Sequence, residues 1–270
     1  MEIKEQLEEL SRKMRIKAIE MAYKAGNYGA HLGGGLSAIE IFATLYGSIL
    51  KFDIKDSLND SRDRLILSKG HGVLAYYTAL EYAGFLSVEE LAEFETNGFF
   101  LHGHASRNLQ KGIEFSGGSL GLGLSFGVGV ALAQLMHKRN NRVYVIMGDG
   151  ECDEGIVWEA LMSASHYKLH NLTVIVDHNK LQSDGFTSDI MDSAPLVSKF
   201  EAFGISVQEV NGHDVEQLYQ AFNAPDRLKP NAIIANTVKG KGVSFIENKK
   251  EWHHAKLNET QYEQALSELQ

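Results

Sequence analysis

The chain has 270 residues, is 44% hydrophobic and carries a formal net charge of −9. This length suffices for one large core, and we interpret residues 1–270 as a single domain. The acidic balance, with Lys and Arg scattered along the chain, argues against nucleic acid as a partner. The one cysteine, Cys152, excludes an intrachain disulfide framework.

The N-terminus carries no apolar signal-peptide region, so the sequence predicts a cytoplasmic protein. Residues 120–136 form an apolar stretch near the lower length limit of a membrane span. Ser125, Gln134 and four glycines interrupt this stretch. We therefore expect a buried core helix there, and no membrane contact.

Helical and strand patterns alternate along the chain. Apolar residues at helical spacing predict a first helix over about residues 3–26. Further helices are predicted over 37–50, 72–83, 88–96, 119–138, 155–168, 214–222 and 259–268. Continuous apolar runs predict strands at Leu65–Leu67, Val143–Met147, Leu172–Val176, Ser206–Val210 and Ala232–Val238. This alternation indicates an α/β fold with a doubly wound, mostly parallel sheet and helices on both faces.

Polar residues follow the predicted strands, where open α/β sheets bind ligands. Asp149 stands between two glycines after the second strand, and Asn179 follows the third. A carboxylate, an amide oxygen and a backbone carbonyl would suit Mg²⁺ and leave positions for diphosphate oxygens. An EF-hand loop that starts at Asp149 is excluded, because Gly155 stands one position after the one that requires glycine, and Ala160 stands where the loop requires glutamate. A solvated turn is the alternative for the Asp149 segment taken alone.

The segment from Gly148 to Gly185 resembles the thiamine diphosphate fingerprint, and its interior at Trp158-Glu159-Ala160 resembles transketolase. The resemblance implies a thiamine diphosphate-binding fold with a PP-type domain, and thiamine diphosphate as cofactor. In that family the Asp, the Asn and a main-chain carbonyl two residues further bind the metal. Mg²⁺, with Ca²⁺ or Mn²⁺ also suitable, is therefore expected at Asp149, Asn179 and Leu181.

The resemblance covers nearly the whole chain and includes four histidines in Gly-rich or loop segments. It implies that His31, His104 and His253 bind substrate hydroxyls and assist proton transfer. Cofactor contacts are implied at His71, Gly118, Ser119, Leu120, Gly150, Glu151, Glu154, Asn179 and His253. The remaining histidines, including His102 and His254, are interpreted as solvated or structural.

Two residues depart from the family pattern. Ala105 stands where proline usually follows the third histidine, and Leu122 stands where glutamine is usual. Both positions lie near the expected substrate side. The sequence is therefore compatible with more than one sugar substrate, with either a phosphate or a sulfonate as its end group.

The resemblance stops at the first domain of a full-length transketolase. It implies an N-terminal subunit that transfers a two-carbon ketol unit from a ketose, such as a pentose phosphate, to an aldose. A C-terminal partner subunit would carry the pyrimidine-binding and C-terminal domains, most simply in a two-plus-two heterotetramer. Gly121, Ser125 and Gly129 form a small-residue ridge for another helix or for an ordinary intrachain contact. The alternatives are a deoxyxylulose-phosphate synthase-like or decarboxylase subunit, or a non-catalytic partner.

Overall fold

The computed structural model describes residues 2–270. Within this range one sheet of five parallel strands has the order β1-β2-β3-β5-β4. The strands are β1 (Arg64–Leu67), β2 (Val143–Gly148), β3 (Leu172–His178), β4 (Ser206–Asn211) and β5 (Asn231–Asn236). All five predicted strands are thereby confirmed, and β5 ends before Val238.

Helices connect the strands. They are α1 (Ile3–Lys24), α2 (Leu32–Leu36), α3 (Ile39–Thr44), α4 (Val73–Tyr82), α5 (Val88–Ala92), α6 (Leu122–Met136), α7 (Gly155–His166), α8 (Thr187–Ile190), α9 (Leu196–Ala202), α10 (Val215–Asn223) and α11 (Glu259–Leu269). The sequence analysis did not predict α2, α8 or α9. The single helix predicted over 37–50 is α3 followed by a π-helical turn, Leu45–Ile49.

Two apolar cores cover the two faces of the sheet. Tyr144 and Ile146 of β2 belong to the core shared with α1, α3, α4 and α10. Val143, Val145 and Met147 of the same strand belong to the opposite core, with α6, α7 and α9. Alternate side chains of a strand point to opposite faces, so both faces of β2 are covered. This arrangement confirms the doubly wound α/β fold.

Helix α6 differs from the prediction at its start and on one face. Gly121 adopts a left-handed φ of 83°, so the helix begins at Leu122 and Ser119 lies in the preceding turn. A Cβ at Gly121 would lie 2.5 Å from the Ile156 side chain, so this member of the small-residue ridge packs within the chain. Leu124, Val128 and Ala131 are buried as expected of a core helix, but Leu122 and Phe126 are exposed, so only one face of α6 belongs to the core. No helix within residues 2–270 is long and apolar enough to span a membrane.

Helix α2 contains three consecutive glycines, which disfavour a helix in isolation. A Cβ at Gly34 would lie 2.7 Å from the His71 ring, and one at Gly35 would lie 2.8 Å from Leu74. The glycines are therefore needed because α2 packs directly against the segment that follows β1. This contact brings His31, at the start of α2, to the carboxyl edge of the sheet.

Candidate functional site

The carboxyl edge of the sheet opens into a cavity of about 250 Å³. Segments that follow β1, β2, β3 and β5 reach it, as expected for open parallel sheets. Every residue that the sequence predicted for the site lines this cavity, except Ser119 and Glu154. The sequence analysis did not assign four further lining residues: Gly148, Gln182, Ser183 and Lys239.

The expected metal ligands occupy the turns after β2 and β3. Asp149 is buried, and its carboxylate accepts hydrogen bonds from the Gly150 N–H, at 2.8 Å, and the Lys180 N–H. Lys180 adopts a left-handed φ of 64°. The Asn179 Oδ1 accepts from the Leu181 N–H at 3.1 Å. The residues that carry the expected carboxylate, amide oxygen and main-chain carbonyl therefore all line the same cavity.

The electrostatics of Asp149 favour a cation. Burial and the neighbouring Asp177 carboxylate raise the pKa of Asp149 above its usual range. No group of three or more His, Cys, Asp or Glu side chains within residues 2–270 is arranged to hold a metal. The expected set needs no such group, because only one of its three ligands is a carboxylate. Its donors are the hard oxygens that Mg²⁺ and Ca²⁺ prefer.

A buried ion pair stabilises the turns that follow β2 and β3. Lys69 and Asp177 are fully buried and form a salt bridge, and the Lys69 ammonium also donates to the Gly34 carbonyl at 2.8 Å. Burial alone would raise the pKa of Asp177. The Lys69 ammonium, with hydrogen bonds including one from Ser37, outweighs burial and lowers it. Asp177 also accepts from the Asn179 amide at 3.2 Å, which orients the Asn179 oxygen.

Lys239, just beyond β5, places an ammonium at the cavity. Its Nζ donates to the Leu181 carbonyl at 2.6 Å and lies 3.0 Å from the His253 Nδ1. Burial and the neighbouring Lys69 ammonium lower the pKa of Lys239 to about 8, so it is mostly charged at pH 7. Its position in a Lys-Gly-Lys-Gly segment after a strand was the sequence signal that could have identified it.

The histidines form one cluster around His31. Its ring centroid lies 4.9 Å from that of His104, 5.5 Å from His253 and 5.9 Å from His71. The exposed His254 ring lies closer, at 4.5 Å, so this residue belongs to the cluster although it was interpreted as structural. The adjacent pair His253-His254 was the signal available in the sequence.

Burial disfavours the charged form of four of these imidazoles. It lowers the pKa of His31 to about 3, with a further contribution from His254. It lowers the pKa of His253 to about 4, aided by Lys239. Burial also lowers the pKa values of His71 and His104. Neutral imidazoles can accept or donate a proton, and the buried His31 Nδ1 has no hydrogen-bond partner among the described residues.

The acidic residues near Asp149 have separate positions. Glu151 is buried, and its carboxylate accepts from the Ser68 hydroxyl, from the Gly121 N–H at 2.7 Å and from the Gly148 N–H at 3.2 Å. Glu151 thus joins the turns around the cavity. Glu154 is exposed at the start of α7, outside the cavity lining. Cys152 is buried, and burial with the Asp149 carboxylate raises its thiol pKa, so the thiol is not activated as a nucleophile.

Two glycines leave room for a ligand along the cavity wall. A Cβ at Gly118 or at Gly148 would meet no atom within 4 Å. Gly118 also has a φ of 147°, which a side chain would strain. Both residues line the cavity, so a ligand can approach the backbone closely at these two positions.

Comparisons with known proteins agree with this geometry. The family model "Transketolase, thiamine diphosphate binding domain" matches residues 6–269. The chain is 43% identical to an apulose-4-phosphate transketolase subunit of Actinobacillus succinogenes, over 89% of this chain and 88% of that relative. It is 42% identical to the 6-deoxy-6-sulfo-D-fructose transketolase subunit SqwG of a Clostridium species, with the same coverage.

A solved structure extends the comparison to the fold. The transketolase of Campylobacter jejuni superimposes with a TM-score of 0.91 at 30% identity, over 98% of this chain. This chain spans 43% of that protein's length. The family match covers nearly all residues, and the subunit-sized relatives align over most of their own length. The chain therefore belongs to the transketolase family and is its thiamine diphosphate-binding domain.

Proposed function

We propose that this chain is the N-terminal subunit of a split transketolase, which transfers a two-carbon ketol unit from a ketose to an aldose. The observation that carries this proposal is that Asp149, Asn179 and Leu181 line the same cavity as His31, His71, His104 and His253. A metal–diphosphate site and a set of neutral imidazoles are thereby adjacent. Such a pairing suits a cofactor that performs carbon chemistry beside groups that move hydroxyl protons.

The metal would be Mg²⁺, or Ca²⁺ or Mn²⁺, held by the Asp149 carboxylate, the Asn179 Oδ1 and the Leu181 carbonyl. The hard oxygen donors and the raised pKa of Asp149, caused by burial and the neighbouring Asp177, support this assignment. A cation would offset the unfavourable burial of the carboxylate. The Lys239 ammonium would then exchange the Leu181 carbonyl for an oxygen of the diphosphate.

The cofactor would lie along the open glycines. Thiamine diphosphate, when bound, supplies the stabilised carbanion that ketol transfer requires. The cavity-lining positions Gly118, Leu120, Gly150, Glu151, Asn179, His71 and His253 are the expected contacts. Ser119 and Glu154 lie outside the lining, and we assign them to the contact between this chain and a partner at the edge of the site.

The histidines would bind and deprotonate the sugar. His31, His104 and His253 line one cavity, and desolvation lowers the pKa of each imidazole. A neutral imidazole can accept a hydroxyl proton and return it to the product. The unpartnered His31 Nδ1 provides a hydrogen-bonding atom that a substrate hydroxyl could satisfy.

A partner chain would supply the pyrimidine-binding and C-terminal domains. Relatives of similar length are themselves named as transketolase subunits, which supports a divided enzyme. Helix α6 supports it independently, because its outer face carries a continuous exposed stripe of small and apolar residues: Leu122, Phe126, Gly129, Ala133 and Met136. This α6 stripe has the spacing of a helix–helix seam. A two-plus-two heterotetramer in the cytoplasm is the simplest assembly.

Calorimetric titration with thiamine diphosphate tests the metal–diphosphate assignment. We expect Mg²⁺-dependent binding by the chain together with its pyrimidine-domain partner, and an affinity loss of about 100-fold or more in Asp149→Asn. Asp189→Asn removes an exposed carboxylate and is the matched control. Unchanged binding in Asp149→Asn would show that the metal site lies elsewhere. A product assay with a ketose and an aldose, compared with the same assay with pyruvate and an aldose, would then distinguish ketol transfer from other thiamine chemistry.

A further inference from the structure

Glu95 adopts an uncommon conformation close to the histidine cluster. It follows α5 and has a left-handed φ of 58°, a region that glycine and asparagine favour. Its N–H donates to the Leu101 carbonyl at 2.9 Å, which closes a loop of the chain upon itself. A longer side chain in this backbone region costs free energy, so it persists where surrounding contacts require it.

The Glu95 carboxylate supplies such a contact. Its Oε1 accepts a hydrogen bond from the N–H of Gly103, the residue directly before His104. A Cβ at Gly103 would lie 2.5 Å from this oxygen, so only glycine permits the approach. The Tyr77 hydroxyl donates to the His102 carbonyl at 3.0 Å on the other side of the same peptide unit. The backbone that presents His104 is therefore held at two consecutive residues.

Glu95 also acts on the charge of His104. Burial lowers the pKa of His104, the Glu95 carboxylate raises it, and the His254 imidazole lowers it. The His31 ring packs edge-on against His104, with centroids 4.9 Å apart. Among the groups that face His104, Glu95 is the carboxylate and His31 and His254 are the imidazoles. Glu95 thus opposes the loss of a proton from the His104 ring.

We propose that Glu95 is a positioning residue for His104: it anchors the Gly103 N–H and thereby fixes the backbone that presents the imidazole to His31. This inference rests on the proposed function only for its catalytic consequence. The anchoring and the electrostatic effect are properties of the chain itself. They can be measured without substrate, so they can fail independently of the transketolase assignment.

Three variants separate the possible roles. Glu95→Gln keeps the size and an acceptor but removes the charge. Glu95→Asn suits the left-handed backbone but is too short to reach Gly103 in the same way. Glu93→Gln, an exposed carboxylate two residues earlier, is the control. Each is made in the full chain, and the His104 imidazole resonance is assigned by its loss in His104→Asn.

The measurements are a nuclear magnetic resonance titration of His104 and hydrogen exchange at the Gly103 amide. Glu95→Gln is expected to shift the His104 titration to lower pH, and Glu93→Gln to leave it unchanged. Glu95→Asn is expected to speed Gly103 exchange by about tenfold or more, through loss of a hydrogen bond to a charged group. Slow Gly103 exchange in the wild-type chain provides a check that needs no variant.

The proposal is overturned if His104 titrates identically in the wild-type chain and in Glu95→Gln. It is equally overturned if the Gly103 amide exchanges freely in the wild-type chain, or as slowly in Glu95→Asn as in the wild type. A residue that served only to shape the loop would tolerate asparagine and leave both readouts unchanged. In the assembled enzyme, Glu95→Gln should lower kcat more than it alters KM for the ketose.

Discussion

At the scale of single residues, the site depends on buried charges that stabilise one another. Lys69 and Asp177 are fully buried, and each satisfies polar groups in the turns that carry the site. A buried pair contributes little net stability compared with apolar residues, but removal of one partner leaves an uncompensated charge. The pair therefore acts mainly to fix the position of Asn179 relative to Asp149.

Replacement of Lys69 tests this interpretation. Lys69→Met should lower the free energy of unfolding by about 3–5 kcal/mol, because Asp177 would be left buried without its cation. Urea unfolding followed by circular dichroism gives this value. Lys55→Met, at an exposed position, should change it by less than about 0.5 kcal/mol. A loss below about 1 kcal/mol in Lys69→Met would show that the charge pair is not the main support of these turns.

At the scale of elements, α6 has two faces with different requirements. Gly127 packs on the sheet, where an added Cβ would lie 2.4 Å from the Val145 side chain. Gly129 faces outward, and its Cβ would meet no atom within 4 Å. The same residue type thus serves close packing at one position and an open surface at the other, two residues further along the same helix.

Alanine substitution separates the two glycines. Gly127→Ala should destabilise the chain by about 1–3 kcal/mol, because the Val145 side chain and the backbone would have to shift. Gly129→Ala should stabilise the chain by about 0.5–1 kcal/mol through improved helix propensity. Thermal unfolding of both variants measures the difference. Equal effects at the two positions would contradict this packing of α6.

The α6 stripe should also determine association with the partner. Phe126→Lys would place a charge at the centre of this exposed apolar seam and should weaken binding of the pyrimidine-domain subunit by about 30-fold, equivalent to ~2 kcal/mol. Leu228→Lys, at an exposed apolar position outside the stripe, is the control. Sedimentation velocity of the mixed chains measures the complex. Unaltered association in Phe126→Lys would place the interface on another surface.

At the scale of the whole molecule, the site combines acidic groups with an ammonium in an acidic chain. The net charge is −9, and Asp149 and Glu151 line the cavity together with Lys239, whereas Lys69 lies outside the lining in a salt bridge with Asp177. The chain as a whole disfavours polyanions, whereas Lys239, together with a metal cation at Asp149, would provide positive charge for a small anion such as a diphosphate. The pKa values of His31 and His253 are lowered to about 3 and about 4, so these imidazoles add little repulsion to the Lys239 ammonium at pH 7.

The histidine cluster should make the fold sensitive to acid. Burial lowers the pKa of His31 to about 3, so below about pH 6.5 the unfolded chain binds a proton that the folded chain excludes. The free energy of unfolding should fall by up to about 1.4 kcal/mol per pH unit for this one group as pH decreases from 6.5 towards 4. His31→Asn should flatten the profile by that amount. His137→Asn, at an exposed position, should not.

Urea unfolding at intervals between about pH 7.5 and 4.5 measures this dependence. Carboxylates titrate equally in the three chains, so the difference between His31→Asn and the wild type isolates the imidazole. Parallel profiles for all three chains would mean that His31 is protonated as easily in the folded chain as in the unfolded one. Its assignment as a neutral base would then fail.

The sheet and the location of the site could both be predicted from the sequence. Continuous β-branched runs identify buried strands locally, and the polar residues that end them, such as Asp149 and Asn179, must meet at one edge because the strands are parallel. The glycine helix α2 could not be predicted, since its glycines oppose helix formation and only the close packing of His71 and Leu74 explains it.

The residues that complete the site became apparent only from the packing of the folded chain. Lys239 reaches the Leu181 carbonyl across 58 positions of sequence, and Lys69 reaches Asp177 across 108. The contacts of three further residues also come from neighbours outside their own segments: Glu95 with Gly103, His254 with His31, and Gly121 with Ile156. Local patterns specify strands and turns, but the partner of a buried charge is set by how the elements pack, and that information is not present in any single stretch of the chain.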